Sequence, residues 1–306
     1  VTRYLLRRLL EAIPTLLGVA VLMFLFVRAL PGDPARLYAG LDASPIEVEA
    51  ARERFGLDRS LPEQFGRYVA GLARGDLGRS YRSDRPVSEL LARHFPPTLA
   101  LSVIAIVAAL AVGIALGVAA AVRRGSLADL SITIGSILGV STPSFFLGIL
   151  LIYVFAVGWG VLPVAGSLTA AGLILPSVTL TAGAIGTIAR FVRSSMLEVM
   201  GEDYVRTARA KGIQPSTVLR KHALKNALIP VVTIGALQFG FLLSGAVIVE
   251  TVFNFPGLGW LLIQSIEARD YPVIQALMLV FAVQFVAVNV IADVLYGVVD
   301  PRVSYA

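Results

Sequence analysis

Six stretches of this 306-residue chain are apolar for long enough to cross a bilayer, and nothing else in the sequence limits its fold as strictly. A helix needs about 20 predominantly apolar residues to cross roughly 30 Å of hydrocarbon. The runs cover residues 9–30, 98–122, 130–157, 172–192, 228–249 and 273–294. Pro14 and Pro176 stand near the starts of the first and fourth, where a helix tolerates proline. Ser141-Thr142-Pro143-Ser144 interrupts the third. The first run is too long for the apolar part of a signal peptide, and Pro31-Gly32-Asp33-Pro34 ends it without a small-residue cleavage site. Composition agrees. The chain is 57% hydrophobic and 15% charged, whereas soluble domains carry about 25% charged residues. That excludes a soluble globule and a disordered chain. The fold expected is an all-α integral membrane protein with six transmembrane helices.

Basic residues in the short connections set the orientation. With residues 1–8 in the cytoplasm, the inner segments hold Arg3, Arg7, Arg8, Arg123, Arg124, eight basic residues within 190–225, and Arg302. The short outer loops hold only Arg269. Both termini, 1–8 and 295–306, are therefore expected inside. The net charge of +6 records insertion direction and is no sign of nucleic-acid binding. Residues 31–97 carry 10 acidic and 10 basic side chains. Ser44-Pro45 followed by Glu47 and Glu49 is a helix start, and further helical pieces are expected around 63–73 and 87–94. With Phe55, Leu57, Phe65, Tyr68 and Leu72 to bury, this segment reads as a small, mostly helical external domain.

Several chemistries are missing. There is no Gly-x-x-x-x-Gly-Lys-Ser/Thr loop, no His-Glu-x-x-His, no Cys, and only His94 and His222. An enzyme is not expected, and neither is a metal site. Intramembrane acids are few. Asp293 and Asn289 share a face of the sixth helix and suit an anchoring role, with Arg190 and Arg193 as possible partners. Glu250 ends the fifth run and is expected in solvent. The pairs Gly113/Gly117, Gly135/Gly139 and Gly240/Ser244 have the spacing that lets helices approach closely. Ser141, Thr142, Ser144, Gln238 and Ser244 are candidate pathway-lining groups.

The inner loop 198–226 reads as two short helices. Glu202 and Asp203 place negative charge at the first N-terminus, and Arg209 and Lys211 place positive charge at its C-terminus. Gly212 can take the left-handed cap, and Pro215 suits the first turn of the second helix. The product is a rigid, basic element projecting from the membrane.

At this loop the sequence resembles the permease subunits of ATP-binding-cassette importers. Their motif is Glu-Ala-Ala, three residues, Gly, nine residues and Ile-x-Leu-Pro. Ala208, Gly212 and Leu224 match it, while Arg206, Thr207 and Lys225 depart from it. The departures are those of the dipeptide/oligopeptide branch, of the DppB/OppB type. Leu30-Pro31-Gly32-Asp33-Pro34, Gly75-Asp76-Leu77-Gly78-Arg79-Ser80, Phe255-Pro256-Gly257-Leu258-Gly259, Arg269-Asp270-Tyr271-Pro272 and Asp300-Pro301-Arg302 look like the same branch, so the similarity runs end to end.

The resemblance implies a type I ABC importer permease fold in a bacterial cytoplasmic membrane. It implies a second homologous permease, two ABC ATPase subunits, and an extracytoplasmic peptide-binding protein or lipoprotein. ATP and Mg would sit in the ATPases, with no cofactor on this chain. Glu202, Asp203, Arg206, Ala208, Arg209, Lys211, Gly212, Arg220 and His222 would form the ATPase-docking surface. The substrate implied is a dipeptide or oligopeptide. The same architecture could carry nickel, glutathione or another small solute. A secondary transporter or channel is the reading from another class, and it calls for inverted repeats with paired broken helices.

Overall fold

The computed structural model describes residues 2–29, 32–40 and 42–299. Helix α1 (Thr2–Ala29) leads into three short helices, α2 (Pro34–Ala39), α3 (Pro45–Phe55) and α4 (Leu61–Ala73). The long α5 (Val87–Val122) follows, then α6 (Leu127–Ser141) and α7 (Ser144–Leu151), which continues as a π-helical segment Ile152–Gly158. Helix α8 (Ala170–Gly201) abuts α9 (Asp203–Ala210). After α10 (Pro215–Thr217) come a second π-helical segment (Val218–Leu224), α11 (Lys225–Ala227), α12 (Ile229–Val252), α13 (Leu258–Glu267) and α14 (Tyr271–Val299). Among the described residues there is no strand, only an isolated bridge between Arg79 and Pro86. Leu30, Pro31 and the Asp300-Pro301-Arg302 motif lie outside the described residues, as do the side chains of Arg3 and Arg7.

Four helices, α1, α5, α8 and α14, are each long and apolar enough to span a membrane, and two bent pairs bring the possible spans to six. One pair differs from the run read as a single span over 130–157. The chain turns by 101° between α6 and the segment that begins at Ser144. Thr142, which precedes Pro143, is extended at φ −78, ψ 120, the conformation that a following proline imposes. The second pair, α10–α11 with α12, bends by 50°. A further correction concerns 87–94. It is no separate helix but the first turns of α5, which continues through Pro96 and Pro97.

The small helices are set by local chemistry. Ser44 and Glu47 form a reciprocal capping box at the start of α3, and Gly56 ends that helix at φ 64. Hydrogen bonds from the Ser44 amide and hydroxyl hold the Glu47 carboxyl below the usual range. Arg52 reaches back to Asp33 at 2.6 Å, tying α3 to the cap of α2.

Helices α5 and α8 run parallel. Thr181 meets Ala105, a Cβ on Gly113 would meet Ile188, and one on Gly117 would lie 2.6 Å from both the Ala189 carbonyl and Val192 Cβ. These two glycines are contact points where backbones approach. Gly139 plays the same part against Ala182, and Gly240 against Val288, whereas Gly135 faces open space. The main core lies between α5, α8 and α12, with Leu101, Ile188, Met196 and Phe253 buried. A second core joins the start of α5 to α13 and the start of α14 through Val87, Leu258 and Leu277. Because α5 and α8 are parallel, α9 sits at the opposite end of the bundle from α2–α4. Leu10, Leu22, Phe241 and Ile291 are exposed along the helices, an apolar surface that suits lipid or another membrane subunit.

Candidate functional site

The element at the α9 end is built on a small core of its own. Val205, Ala208 and Val218 are buried together, with Val199 and Ile213 against them. Val205 and Ala208 stand on one face of α9 by their three-residue spacing, which leaves Arg206 and Arg209 on the open side. Gly212 takes φ +75 and returns its N–H to the Arg209 carbonyl at 3.0 Å. The reversal carries the chain to Pro215 and the π-helical segment. Two bonds lock the far side: Asn226 donates to the Tyr204 hydroxyl at 2.8 Å, and Ser195 of α8 donates to the Ala227 carbonyl at 2.9 Å.

Glu202, Asp203, Arg206, Arg209, Lys211, Gly212 and Arg220 are all exposed on this element, and His222 is partly buried. Ala208 is interior, so it supports α9 from within and offers no contact surface. The Arg206–Asp203 pair, 3.3 Å apart, is open to solvent and adds little stability. Beside α9 a cleft of about 560 Å³ is lined mainly by Val122, Met200, Ile213, Pro215 and Leu219, with Arg209 at its wall.

The proposed pathway groups stand apart. Thr142 returns its hydroxyl to the Leu138 carbonyl at 2.7 Å, and Ser244 returns its own to Gly240 at 3.2 Å. Ser141 is exposed, while Ser144 and Gln238 are half-buried. No hydrogen bond joins the Ser141–Ser144 turn to Gln238 or Ser244 among the described residues. Asn289 bonds the Phe285 carbonyl of its own helix, and Asp293 pairs with Arg8 of α1 at 3.2 Å.

Three polar ties escaped the sequence reading. Arg193 does not face Asp293. It forms a two-pronged pair with Asp129 of α6 at 2.6 and 2.8 Å, and Gly125 N–H adds a third donor to that carboxylate. This pair braces α6 against α8, the helix that runs directly into α9. Glu250 is not solvated but fully buried. It accepts from Thr98 of α5 at 2.6 Å and from the Gly259 and Trp260 amides at 2.7 and 3.1 Å. Thr98 in turn accepts from the Leu258 amide at 2.8 Å. A Cβ on Gly257 would lie 2.2 Å from the Glu250 carboxylate, and one on Gly259 would lie 2.3 Å from Val247 Cα. The two glycines of the Phe255–Gly259 motif therefore let α13 close onto α12. Asp270, also buried, accepts from the Ser80 hydroxyl and from the Tyr81 amide at 2.9 Å.

Comparison with known proteins fits this architecture. The chain matches the family described as "Binding-protein-dependent transport system inner membrane component" over residues 113–305, and its N-terminal counterpart over 1–102. It is 50% identical, over 303 residues and 99% of each chain, to "Glutathione transport system permease protein GsiC" of Salmonella typhimurium and of Escherichia coli K12. Among solved structures it is similar to inward-facing conformations of the MetNI methionine ABC transporter. There the TM-score is 0.59 at 24% identity, covering 70% of this chain and 97% of that one. An amino acid ABC transporter gives 0.53 at 18% identity, over 68% and 94%. These structural likenesses bear on the fold alone. The chain belongs to the binding-protein-dependent transport system inner membrane components, the permease subunits of ABC importers.

Proposed function

We propose that this permease imports glutathione or a closely similar short peptide. The observation that carries the reading is the 50% identity, along 99% of the chain, to permeases named for glutathione transport. It favours glutathione, the alternative solute, over the expectation of dipeptides and oligopeptides in general. The partners of the reading are a second homologous permease, two ATPases that hold ATP and Mg, and an extracytoplasmic binding protein that delivers the peptide. Both termini and α9 face the cytoplasm, and α2–α4 face outward.

In this reading α9 and the π-helical segment after it seat in a groove on one ATPase. The exposed Arg209 and Lys211 offer charge to that partner, while the buried Val205, Ala208 and Val218 keep the element rigid. A stroke received there passes into α8 through the Glu202 junction, and into α6 through the Arg193–Asp129 pair. The helices then rock between inward-open and outward-open states.

Reversing charge with Arg209→Glu and Lys211→Glu tests the docking assignment. The permease pair should still assemble in the membrane, but the ATPases should fail to co-purify, or should hydrolyse ATP without glutathione uptake. Unchanged co-purification and unchanged uptake would overturn it.

A further inference from the structure

A cavity of about 280 Å³ opens where α1, α4 and α14 meet at the α2–α4 end. Its deep wall is made of donors. Arg28 is partly buried and spends its N–H groups on neutral oxygens, with Nε and Nη2 on Gln64 Oε1 at 3.0 and 2.9 Å and Nη1 on the Phe24 carbonyl at 3.2 Å. That uses three of the five guanidinium N–H groups. No carboxylate lies within ion-pair distance of it among the described residues. Two further lining groups, the Gln275 amide nitrogen and the Tyr68 hydroxyl, are buried without any hydrogen-bond partner. Gln275 is only 5% exposed. Burial raises the Tyr68 pKa, so that hydroxyl keeps its proton and can donate. Unpaired buried donors are costly, and here they gather around a cation with no ion-paired carboxylate among the described residues. The rim differs, because exposed Glu53 and Asp76 stand there with Arg54 and Arg67.

We propose that this cavity binds a small zwitterionic amino acid or peptide, its carboxylate on Arg28, Tyr68 and Gln275 and its ammonium toward Glu53 and Asp76. The choice of glutathione as probe rests on the import reading above. Glutathione carries two carboxylates and one ammonium, for which the lining offers Arg28 and the rim's Arg67 against Glu53 and Asp76, while Arg54 is already paired with Asp84 at 2.7 Å. The site would receive the peptide at the mouth, before it enters the pathway.

The test is glutathione binding to the assembled transporter in phosphatidylcholine nanodiscs, without the binding protein. Wild type should bind glutathione and not its diethyl ester. Gln275→Leu removes a donor while keeping the volume, so a merely structural Gln275 would leave affinity unchanged. The proposal expects a loss of about tenfold, one charge-assisted hydrogen bond. Arg28→Gln should lose more. Binding of the ester as tight as that of glutathione, or unaltered binding by Gln275→Leu, would overturn the proposal. Displacement of glutathione by added phosphatidylglycerol would also overturn it and give the cavity to a lipid headgroup. The import reading fails separately. If glutathione is inert but glutamate or a dipeptide binds with the same dependence on Arg28 and Gln275, the cavity stands and the substrate is wrong.

Discussion

Replacing Thr98 by Val should loosen α13 from the rest of the molecule while leaving the bundle intact. Thr98 is 1% exposed, and valine has nearly its shape. Its hydroxyl donates to Glu250 and accepts from the Leu258 amide, so one substitution removes two bonds made in the same buried place. A hydrogen bond to a charged group contributes about 1.5–3 kcal/mol, and a buried N–H left without an acceptor costs about 1–3 kcal/mol. The added methyl returns roughly 0.8 kcal/mol of apolar burial. The net loss is about 2–5 kcal/mol. It falls on the junction of α13 with α5, because the Gly259 and Trp260 bonds to Glu250 remain. Since about 1.4 kcal/mol is tenfold in an opening equilibrium, amide exchange at Leu258, which loses its acceptor, should quicken by about a hundredfold or more, and exchange at Gly259 and Trp260, whose bonds to Glu250 remain, by less. Exchange in α8 should not change. Hydrogen exchange with mass spectrometry on the purified complex reads both. Equal exchange at these amides in wild type and variant would refute the clamp, and with it the account of why Glu250 is buried.

The Asp129–Arg193 pair gives a second test. Asp129→Asn should lower the midpoint of thermal unfolding in detergent, and exchanging the two charges by Asp129→Arg with Arg193→Asp should recover part of the loss. Two glycines with the same spacing in sequence should behave differently. Gly117→Ala forces α5 and α8 apart and should cost about 1–3 kcal/mol, whereas Gly135→Ala meets nothing within 4 Å and should be neutral. Gly212→Ala has room for the new atom but must hold φ +75, so it should destabilise the turn by about 1–2 kcal/mol and raise protease sensitivity between α9 and α10.

Four of the spans and the short helices around α9 were legible because their signals are local. Run length reports a membrane helix, and Asp203, Gly212 and Pro215 punctuate short helices within a few residues of where they act. The buried polar ties were not legible for the opposite reason. Thr98 and Glu250 are 152 positions apart, and Asp129 and Arg193 are 64 apart. A carboxylate at the end of an apolar run looks solvated until the chain that returns over it is known. Gly257 and Gly259 carried the hint, since glycine at both positions is what a close backbone approach to Glu250 and Val247 demands. Pro143 announced an interruption, but not the 101° turn that follows it. At Pro96-Pro97 the error ran the other way. The pair read as a boundary, yet α5 passes through it with Pro97 and Thr98 buried.

The proposed import of glutathione, coupled to ATPases through α9, comes down to one measurement. Uptake of labelled glutathione into proteoliposomes, reconstituted with both permeases, the ATPases and the binding protein, tests it most directly. Accumulation should require ATP on the α9 side and disappear with Arg209→Glu and Lys211→Glu. Accumulation by the permease alone, driven by a proton or sodium gradient and indifferent to ATP, would contradict it.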